Sequence, residues 1–539
     1  MPLQLLDLPE EILLMCLSHM ALPDIAACLQ LCNSALTRLI REAPAIQFRL
    51  ELTGYAVEET AYGHVGPLFK RRKALKEREE RWRTFAPGHR WVVTTRDTPA
   101  LYDVGEDCYA LAYKADPQTM LGVGMEYIFL NEEPVWLQPA DITEPVWDIC
   151  LVSEWDLLVV VTLSVENAGV RTMAAHLRQL STGAVQEGLA RTIDLAKVPQ
   201  VYGVPHIRVE VAGSTLAIAC RFPFNILGTR DQDLLHLIHW PSGRAFAAVP
   251  CSVTGFVFVH DTLLLLPNPQ THCLDVLALK PGLDGNLNSY CWILSFCLPA
   301  LRVGHRIRWD TFDCRGQPNP STHSFDRCTT LAQTCSPFRS KPERTPIFLM
   351  FDTATTPTDA DVELSHTVVV IDRARLQGRF LENYQHPGKG APVRKVPFAY
   401  WGLRASTWLD VGPGGLNLSA YAVTGFLGTR FAGLGSNHVR ILDFNQTSVA
   451  RVCKQIKATR TDVLAATHAT IRVQPPATGG ATQEDSVFAE RLGAALGYVE
   501  TTSREAVAWE SVHLSNACIL GEKDSDVEGE RELHVLHFG

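Results

Sequence analysis

The chain has 539 residues, of which 46% are hydrophobic and 20% are charged, and its mean hydropathy is +0.02. This composition is typical of a globular protein and excludes a largely disordered one, and the length predicts several domains or one large repeat-built domain. The formal net charge of −9 argues against a chain that neutralises nucleic-acid phosphates, so we expect no nucleic-acid partner.

The first feature along the chain is the apolar stretch LDLPEEILLMCLSHMALPDIAACLQLC, at positions 6–32. It is not typical of a secretory signal, because acidic residues interrupt it and no Lys or Arg precedes them. It also lacks the roughly 20 nearly uninterrupted apolar residues that a membrane span needs. The 15 cysteines of the chain show no CxxC pair, which indicates reduced core thiols. We therefore expect an intracellular protein, in the cytoplasm or the nucleus, with no membrane partner.

Helical periodicity predicts three short helices within residues 1–50. Pro9 suits the start of a helix because its missing N–H costs nothing there, and Glu10 and Glu11 lie where the helix dipole favours acids. Apolar residues recur with helical spacing in three segments: Ile12, Leu13, Cys16 and Leu17; Ile25, Cys28, Leu29 and Cys32; and Leu36, Leu39 and Ile40, before Pro44. Helices of about 40 residues in total are too few to bury this surface among themselves, so we expect another protein to cover it.

These segments, LPEEIL at 8–13 and LPDIAACLQLCNSALTRLI at 22–40, resemble the F-box, a three-helix module that docks on the Skp-type adaptor of cullin ubiquitin ligases. Leu8–Pro9, Ile12–Leu13, Asp24–Ile25 and Cys32 carry the match, while Ser34–Ala35 replaces the bulkier or basic pair of many members. The resemblance implies a Skp-type adaptor as partner and, through it, a cullin. The adaptor-binding residues that we expect are all apolar: Leu8, Pro9, Ile12, Leu13, Leu17, Leu22, Ile25, Leu29 and Leu36. An ordinary helical cap on the following domain is the alternative.

A mixed-charge segment, KRRKALKEREERWR at 70–83, follows the apolar stretch. Its acidic residues cancel much of its basic charge, so it predicts a solvated helix with i,i+4 ion pairs and not a nucleic-acid patch. We interpret residues 51–95 as a helical connector between the F-box, residues 1–50, and the rest of the chain.

Short apolar runs bounded by turn residues dominate residues 96–539 and predict strands. AAHLRQLSTG (174–183) aligns without a gap with LLHLIHWPSG (234–243), and related runs begin at 273, 367, 438 and 532. If the two intervals of 94 each hold two units of about 47, the period is that of four-stranded propeller blades. We predict six to eight blades, with seven or eight favoured, closed by the terminal strand, and loop insertions near 316–346 and 475–485. Stacked sandwiches are the alternative.

The whole chain is then an α+β multidomain protein, with a small three-helix F-box followed by a large all-β propeller. It looks like the F-box proteins of mushroom-forming fungi that carry a WD-like propeller, on the segments ALYDVGEDCYALAY from Ala100 and ELHVLHF near the end. The insertion at 316–346 is where we expect partner recognition on one propeller face.

No GxSxG nucleophile motif or Walker loop occurs in the sequence, so we predict no catalytic residue, no metal ligand and no cofactor. The resemblance implies a non-catalytic substrate-recognition subunit of a Skp/cullin/F-box ubiquitin ligase. Its propeller would bind a protein substrate through residues that the sequence does not identify. Two alternatives stay open: a scaffold that acts outside ubiquitination, and a propeller enzyme with dispersed residues in its central channel.

Overall fold

The computed structural model describes most of the chain, in stretches separated by short gaps. The described residues are 8–30, 34–60, 66–96, 99–114, 122–130, 136–139, 141–166, 169–185, 188, 190–222, 233–281, 287–308, 311–321, 336–355, 364–381, 393–409, 422–477, 487–525, 527 and 530–539. Cys32, which the sequence pattern placed in the second helix, lies outside them. Within these ranges, no helix is both long enough and apolar enough to cross a membrane.

Helices form the amino-terminal part: α1 (Glu10–His19), α2 (Leu22–Gln30), α3 (Ser34–Glu42), α4 (Pro44–Gly54) and α5 (Leu68–Thr84). The prediction of three helices before residue 50 was incomplete, because Pro44 does not end the bundle. It occupies the first turn of α4, where a proline has no N–H to leave unpaired. A short strand, β1 (Val57–Glu59), separates α4 from α5.

The rest of the described chain is a succession of antiparallel sheets. After β2 (His89–Arg96), the first sheet contains seven strands in chain order: β3 (Pro99–Val104), β4 (Cys108–Lys114), β5 (Gly122–Phe129), β6 (Val146–Val152), β7 (Leu157–Glu166), β8 (Val170–Gln179) and β9 (Thr192–Pro199). One residue pair, Gly122 with Val146, joins β5 to β6. We therefore treat β3–β5 as unit 1 and β6–β9 as unit 2.

Units 3 and 4 follow the same pattern of consecutive paired strands. Unit 3 contains β10 (His206–Ala212), β11 (Thr215–Arg221), β12 (Leu234–His239) and β13 (Arg244–Pro250). Unit 4 contains β14 (Val257–His260), β15 (Leu263–Asn268), β16 (Cys273–Pro281) and β17 (Leu287–Cys297), with β23 (Arg394–Val396) added in parallel to β17.

Units 5 and 6 carry insertions. Unit 5 contains β18 (His305–Ile307), β19 (Asp313–Arg315), β21 (Ile347–Thr355), β22 (Leu364–Ile371) and β24 (Ser406–Leu409), with α6 (Arg373–Leu376) and α7 (Phe398–Ala405) between its last strands. Unit 6 contains β25 (Phe426–Leu427), β26 (Arg430–Gly435), β27 (His438–Asp443), β28 (Leu464–Ala465), β29 (Ala469–Gln474) and β30 (Tyr498–Ala506), with α8 (Gln446–Thr459) after β27. The remaining strand, β20 (Phe338–Ser340), pairs with β1.

Unit 7 combines strands from the two ends of the β-region. It contains β31 (Ser511–Leu514), β32 (Cys518–Asp524) and β33 (Glu530–His537), and its fourth strand is β2 (His89–Arg96), from the start of the β-region. The register runs from His89 opposite His537 to Arg96 opposite Glu530. The predicted closing strand is therefore confirmed, and it removes the exposed edge that the last sheet would otherwise present.

Hydrophobic clusters between neighbouring units show that the sheets form a ring. Each cluster joins strands of one unit to strands of the next: Tyr127 with Val160, Val159 with Val209, Leu237 with Phe258, Leu274 with Val369, Phe348 with Phe431, Ile441 with Ile519, and Leu520 with Leu111. The last of these joins unit 7 back to unit 1. Such a closed circle of antiparallel sheets is a β-propeller.

The repeated runs occupy equivalent places in this ring. The six starting positions 174, 234, 273, 367, 438 and 532 fall in β8, β12, β16, β22, β27 and β33, the third strands of units 2 to 7. The division of each 94-residue interval into two repeats was wrong. Each interval joins equivalent strands of two neighbouring units, and it is long because it includes inserted segments such as α8. Seven units are present among the described residues, and the blade number of the whole chain stays a prediction.

Candidate protein-docking surface

The amino-terminal helices enclose a small core of their own. Its buried residues come from α1 to α4: Leu13, Leu17, Ile25, Leu36, Leu39, Ile40, Ala43 and Ile46. Four of the nine predicted adaptor contacts, Leu13, Leu17, Ile25 and Leu36, belong to this core and are at most 8% exposed. They are buried because α4, which the sequence pattern missed, contributes Ile46 to the same core, and their role in adaptor binding stays a prediction.

A second apolar face remains on the outside of α1. Ile12 is 41% exposed, Met15 is 58% exposed, and Cys16 is exposed as well. These three residues lie at i, i+3 and i+4 and therefore form one stripe, which we call the α1 outer stripe. Because the F-box-like segment has these two large apolar side chains next to each other on its surface, we take the α1 outer stripe as the candidate docking surface.

The other predicted contacts lie around this stripe. Pro9 is exposed, and Leu8, Leu22 and Leu29 are half-buried. The structure thus divides the nine residues into five that are at least partly accessible and four that hold the bundle together. Met15 lies on the side of α1 opposite Leu13 and Leu17, and the sequence analysis did not name it. Cys16, which the sequence pattern grouped with Leu13 and Leu17, lies one turn from Ile12 on the exposed side.

Helix α4 holds α1 in place. The Arg49 guanidinium donates to the carbonyl oxygens of Ser18, at 2.5 Å, and Met20, at 3.0 Å, just at and beyond the end of α1. A cation at this end also complements the helix dipole. At the other end of α1, Arg38 of α3 pairs with Glu10 at 3.0 Å. Both side chains are more than 60% exposed, so this pair contributes little to the stability of the bundle.

The bundle is joined to the propeller through β1 and α5. β1 pairs with β20, and Thr60 donates to the Ser336 carbonyl at 2.9 Å. The Asn445 side chain, which caps α8, donates to the Gly54 carbonyl at 2.9 Å. The end of α4 is therefore tied directly to unit 6 of the propeller.

Helix α5 is solvated on one side only: Lys73 and Glu77 form the predicted type of exposed i,i+4 pair at 3.6 Å, but other charged residues of the helix are buried. Arg78 is 2% exposed and donates to the backbone and side-chain oxygens of Asn516 at 2.8 and 3.2 Å. Arg78 also pairs with Glu79, which in turn pairs with Arg430 at 2.5 Å. Burial lowers the pKa of Arg78, and the Glu79 carboxylate opposes this effect. Two of the predicted surface charges are thus used to attach the helix to units 6 and 7.

The insertion predicted to recognise partners is described at 316–321 and 336–346, and its first part spans the ring between unit 3 and unit 6, whereas β20 pairs with β1. The Asn319 amide donates to Glu210 at 2.8 Å and to the Val211 carbonyl at 3.0 Å, on β10. From the other side of the ring, the Gly428 N–H donates to the Gln317 carbonyl at 2.9 Å. Residues 322–335 and 478–485 lie outside the described part of the chain.

Charged side chains surround this central segment. Arg208 pairs with Glu210 at 2.5 Å, and burial raises the pKa of Asp148 to about 7. The cavity that adjoins Glu210 and Asn319 has a volume of about 20 Å³, which is room for about one water molecule. Over the described ranges, no three His, Cys, Asp or Glu side chains form a group that could hold a metal ion.

Residues 5–37 match the F-box domain family, a segment that covers α1, α2 and the first part of α3. No curated protein matches the chain. The protein therefore combines an amino-terminal F-box domain with a β-propeller.

Among solved structures, the chain is similar to the WD40 domain of SCAP from fission yeast, with 9% identity over 84% of this chain and 98% of that chain and a TM-score of 0.31. It is also similar to BamB from Moraxella catarrhalis, with 10% identity over 83% of this chain and 99% of that chain and a TM-score of 0.31. For Hsv2 of Kluyveromyces lactis the identity is 12%, the coverage 37% of this chain and 62% of that chain, and the TM-score 0.27. This chain thus spans less than two thirds of the Hsv2 chain. The propeller assignment rests on the strand order and the closed ring described above.

Proposed function

We propose that this protein is the substrate-recognition subunit of a Skp/cullin/F-box ubiquitin ligase inside the cell. Its F-box binds a Skp-type adaptor and, through it, a cullin, and its propeller binds the protein to be ubiquitinated. The observation that carries the proposal is that the F-box match falls on a bundle whose α1 keeps Ile12 and Met15 exposed. The chain itself performs no chemistry in this scheme.

The adaptor interface centres on the α1 outer stripe. Leu8, Pro9 and Ile12 make direct contacts, together with Met15 and the accessible parts of Leu22 and Leu29. Fully burying a side chain of the size of Ile or Met contributes about 1.5–3 kcal/mol, so two or three such residues dominate a small interface. Leu13, Leu17, Ile25 and Leu36 support the interface indirectly, because they fix the positions of the helices.

The rigid attachment of the bundle supports this role. Ubiquitin transfer requires a substrate lysine to be presented at a defined distance from the rest of the ligase. The contacts of Arg78 with Asn516, and of Asn445 with Gly54, attach α5 and the end of α4 to the propeller. A bound substrate would then keep a fixed position relative to the adaptor.

Capture of a purified Skp-type adaptor by the full-length chain tests the first half of the proposal. We expect I12D/M15D to lower adaptor affinity at least tenfold, and Leu8→Ala with Pro9→Ala to lower it less. Val303→Asp is the matched control, because Val303 is a fully exposed apolar residue of the β-region and its replacement should leave capture unchanged. Equal recovery of adaptor by I12D/M15D and the wild type would contradict the proposal.

The second half concerns the propeller. We expect proteins that co-purify with the full-length chain, identified by mass spectrometry, to include one whose half-life lengthens when residues 1–50 are deleted. A partner that still binds the deletion variant but turns over at the same rate with and without the F-box supports the scaffold alternative instead. The two outcomes can be distinguished because the wild type and the deletion variant both retain the propeller strands, so only the F-box differs.

A further inference from the structure

Two thiols face each other across unit 4 of the propeller. Cys273 begins β16 and Cys297 ends β17, and the strand register places them directly opposite each other. Their sulfur atoms are 3.7 Å apart, and both residues are free cysteines. A disulfide has an S–S distance of about 2.05 Å, so each sulfur needs to move by less than 1 Å.

The backbone geometry at this pair suits a disulfide. The Leu298 N–H donates to the His272 carbonyl at 2.9 Å, so the ladder hydrogen bonds flank the cysteine pair and do not join it directly. In such a non-hydrogen-bonded antiparallel pair the Cα atoms are about 4.5 Å apart and the side chains are closest. This separation lies inside the range of about 4.4–6.8 Å in which two cysteines can be bridged.

The two thiols differ in environment. Cys273 is 1% exposed, whereas Cys297 is half-buried and its carbonyl oxygen accepts a hydrogen bond from the Trp401 indole of α7 at 2.8 Å. Burial, and next the hydrogen bond with Cys297, raise the pKa of Cys273 to about 11. Cys297 is therefore the thiol that a small oxidant reaches first, and Cys273 is the thiol that resolves the product.

We propose that Cys273 and Cys297 are a redox modification site, at which hydrogen peroxide converts the two thiols into a reversible disulfide. The Cys297 sulfur attacks peroxide, the O–O bond breaks, and Cys297 sulfenic acid and one water form. The Cys273 sulfur then attacks the sulfenic sulfur, the S–O bond breaks, and a second water leaves. In total two thiols lose two electrons and two protons to one peroxide, which becomes two waters. A dithiol reductant reverses the step.

The disulfide would lock the β16–β17 hairpin next to α7. It closes a loop that begins at Cys273 and ends at Cys297, and it therefore limits the conformations of the unfolded chain. For a protein of this size we expect the melting temperature to rise by about 3 °C. Because the resolving thiol is mostly protonated near neutral pH, disulfide formation should become faster as the pH is raised from 7 to 9.

The test uses the reduced full-length protein, treated with hydrogen peroxide, denatured, alkylated with N-ethylmaleimide and digested. We expect a linked peptide pair that contains Cys273 and Cys297, two hydrogens lighter than the sum of its thiol forms, and its disappearance after dithiothreitol. The matched control is C291S, which removes a half-buried cysteine of the same strand and should leave the link intact. In C273S the link should be lost, and Cys297 should be trapped as a sulfenic acid by dimedone.

The exposed Cys16 reports whether the oxidant acted. If Cys16 is oxidised while Cys273 and Cys297 are both recovered alkylated, or if Cys297 becomes a sulfinic acid without any link, the assignment is overturned. A melting temperature that does not rise in the linked wild type would overturn the proposed lock on the hairpin. These measurements need no adaptor or substrate, so their outcome is independent of the ligase proposal.

Discussion

The indole ring of Trp82 is stacked on the phenyl ring of Phe538, with 4.2 Å between the ring centroids and an angle of 18° between the planes. Trp82 lies in α5, between the F-box and the propeller, and Phe538 follows the last strand. The Arg430 guanidinium also lies over the Trp82 ring, 4.7 Å from its centroid. One side chain thus joins the connector, the closing strand and unit 6, so α5 is part of the propeller fold.

Replacing Trp82 should therefore destabilise the propeller and not only detach the F-box. We expect W82A to lower the free energy of unfolding by about 3–5 kcal/mol, since a fully packed aromatic side chain is lost. Urea denaturation followed by far-UV circular dichroism measures the change. Phe69→Ala in the same helix is the control: Phe69 is 68% exposed, and its loss should change stability by less than about 0.5 kcal/mol. Equal effects of the two variants would contradict the packing role of Trp82.

Closure of the ring can be tested with two neighbouring residues of β2. Val93 is 7% exposed and packs in the cluster between units 7 and 1, whereas Val92 points outward and is 52% exposed. We expect Val93→Asp to cost at least about 3 kcal/mol, because it buries an unpaired carboxylate. Val92→Asp should cost less than about 0.5 kcal/mol. Thermal unfolding of both variants compares them directly, and a stable V93D would mean that β2 does not close the ring.

Substitutions on the two sides of α1 should have different effects. Those on the inner side should lower the stability of the bundle, and those on the outer side should weaken adaptor binding. Leu17→Ala removes a core side chain and should cost about 2–5 kcal/mol within the bundle, with weaker adaptor capture as a consequence of unfolding. Ile12→Ala should leave bundle stability within about 0.5 kcal/mol but still weaken capture. Amide hydrogen exchange of α1 to α3 and adaptor affinity, measured on both variants, give this comparison. Loss of exchange protection in I12A would place Ile12 in the core.

The repeated strands could be predicted from the sequence because each third strand meets the same physical demand. β8 and β12 must both present apolar residues to a neighbouring unit and end in a turn at Gly183 and Gly243, whose φ values are +70° and +66°. Because the strands share this requirement, their sequences keep a recognisable pattern of apolar residues although the units have otherwise diverged. The intervals between strands carry no such demand, because insertions such as α8 are tolerated in loops.

The exposed apolar face of α1 could be predicted only in part, for a different reason. Helical periodicity identifies apolar stripes, but α1 has two of them, and which one faces inward depends on where α4 packs. The buried role of Arg78 could not be predicted at all, because Asn516, which accepts its hydrogen bonds, and Arg430, which pairs with the neighbouring Glu79, are remote in the sequence. The same holds for Asn319 and Glu210, which are joined by a hydrogen bond although they are remote in the sequence.

The buried ion network of α5 predicts a large cost for removing a single charge. Arg78→Met leaves the Asn516 oxygens without their donor and Glu79 with one cation in place of two. We expect a loss of about 3–5 kcal/mol in the free energy of unfolding. Lys76→Met is the control from the same helix, since Lys76 is 49% exposed and pairs with Glu51 at 3.1 Å, and it should cost less than about 1 kcal/mol. Similar losses for both variants would show that burial of Arg78 does not matter.

Stability should also depend on pH through His537, in the closing strand. Burial, and next the neighbouring His89, Arg81 and Arg78, lower the pKa of His537 to about 4. In the unfolded chain a histidine has a pKa of about 6.5, so between pH 6.5 and 4 the unfolded chain binds a proton that the folded chain does not. Stability is therefore complete above pH 6.5 and falls as the pH is lowered towards 4, by at most about 1.4 kcal/mol per pH unit for this one proton.

His537→Gln removes this titrating group, so the free energy of unfolding should depend less on pH. Urea unfolding of the wild type and H537Q at pH 7, 6, 5 and 4.5 measures the free energy of each. We expect the wild type to lose more stability than H537Q between pH 6.5 and 4.5, with a difference on the order of 1–2 kcal/mol, because part of the ring remains open to solvent. Parallel curves for the two proteins would mean that His537 can take up a proton in the folded propeller, and that the contact between β2 and β33 opens more easily than its packing indicates.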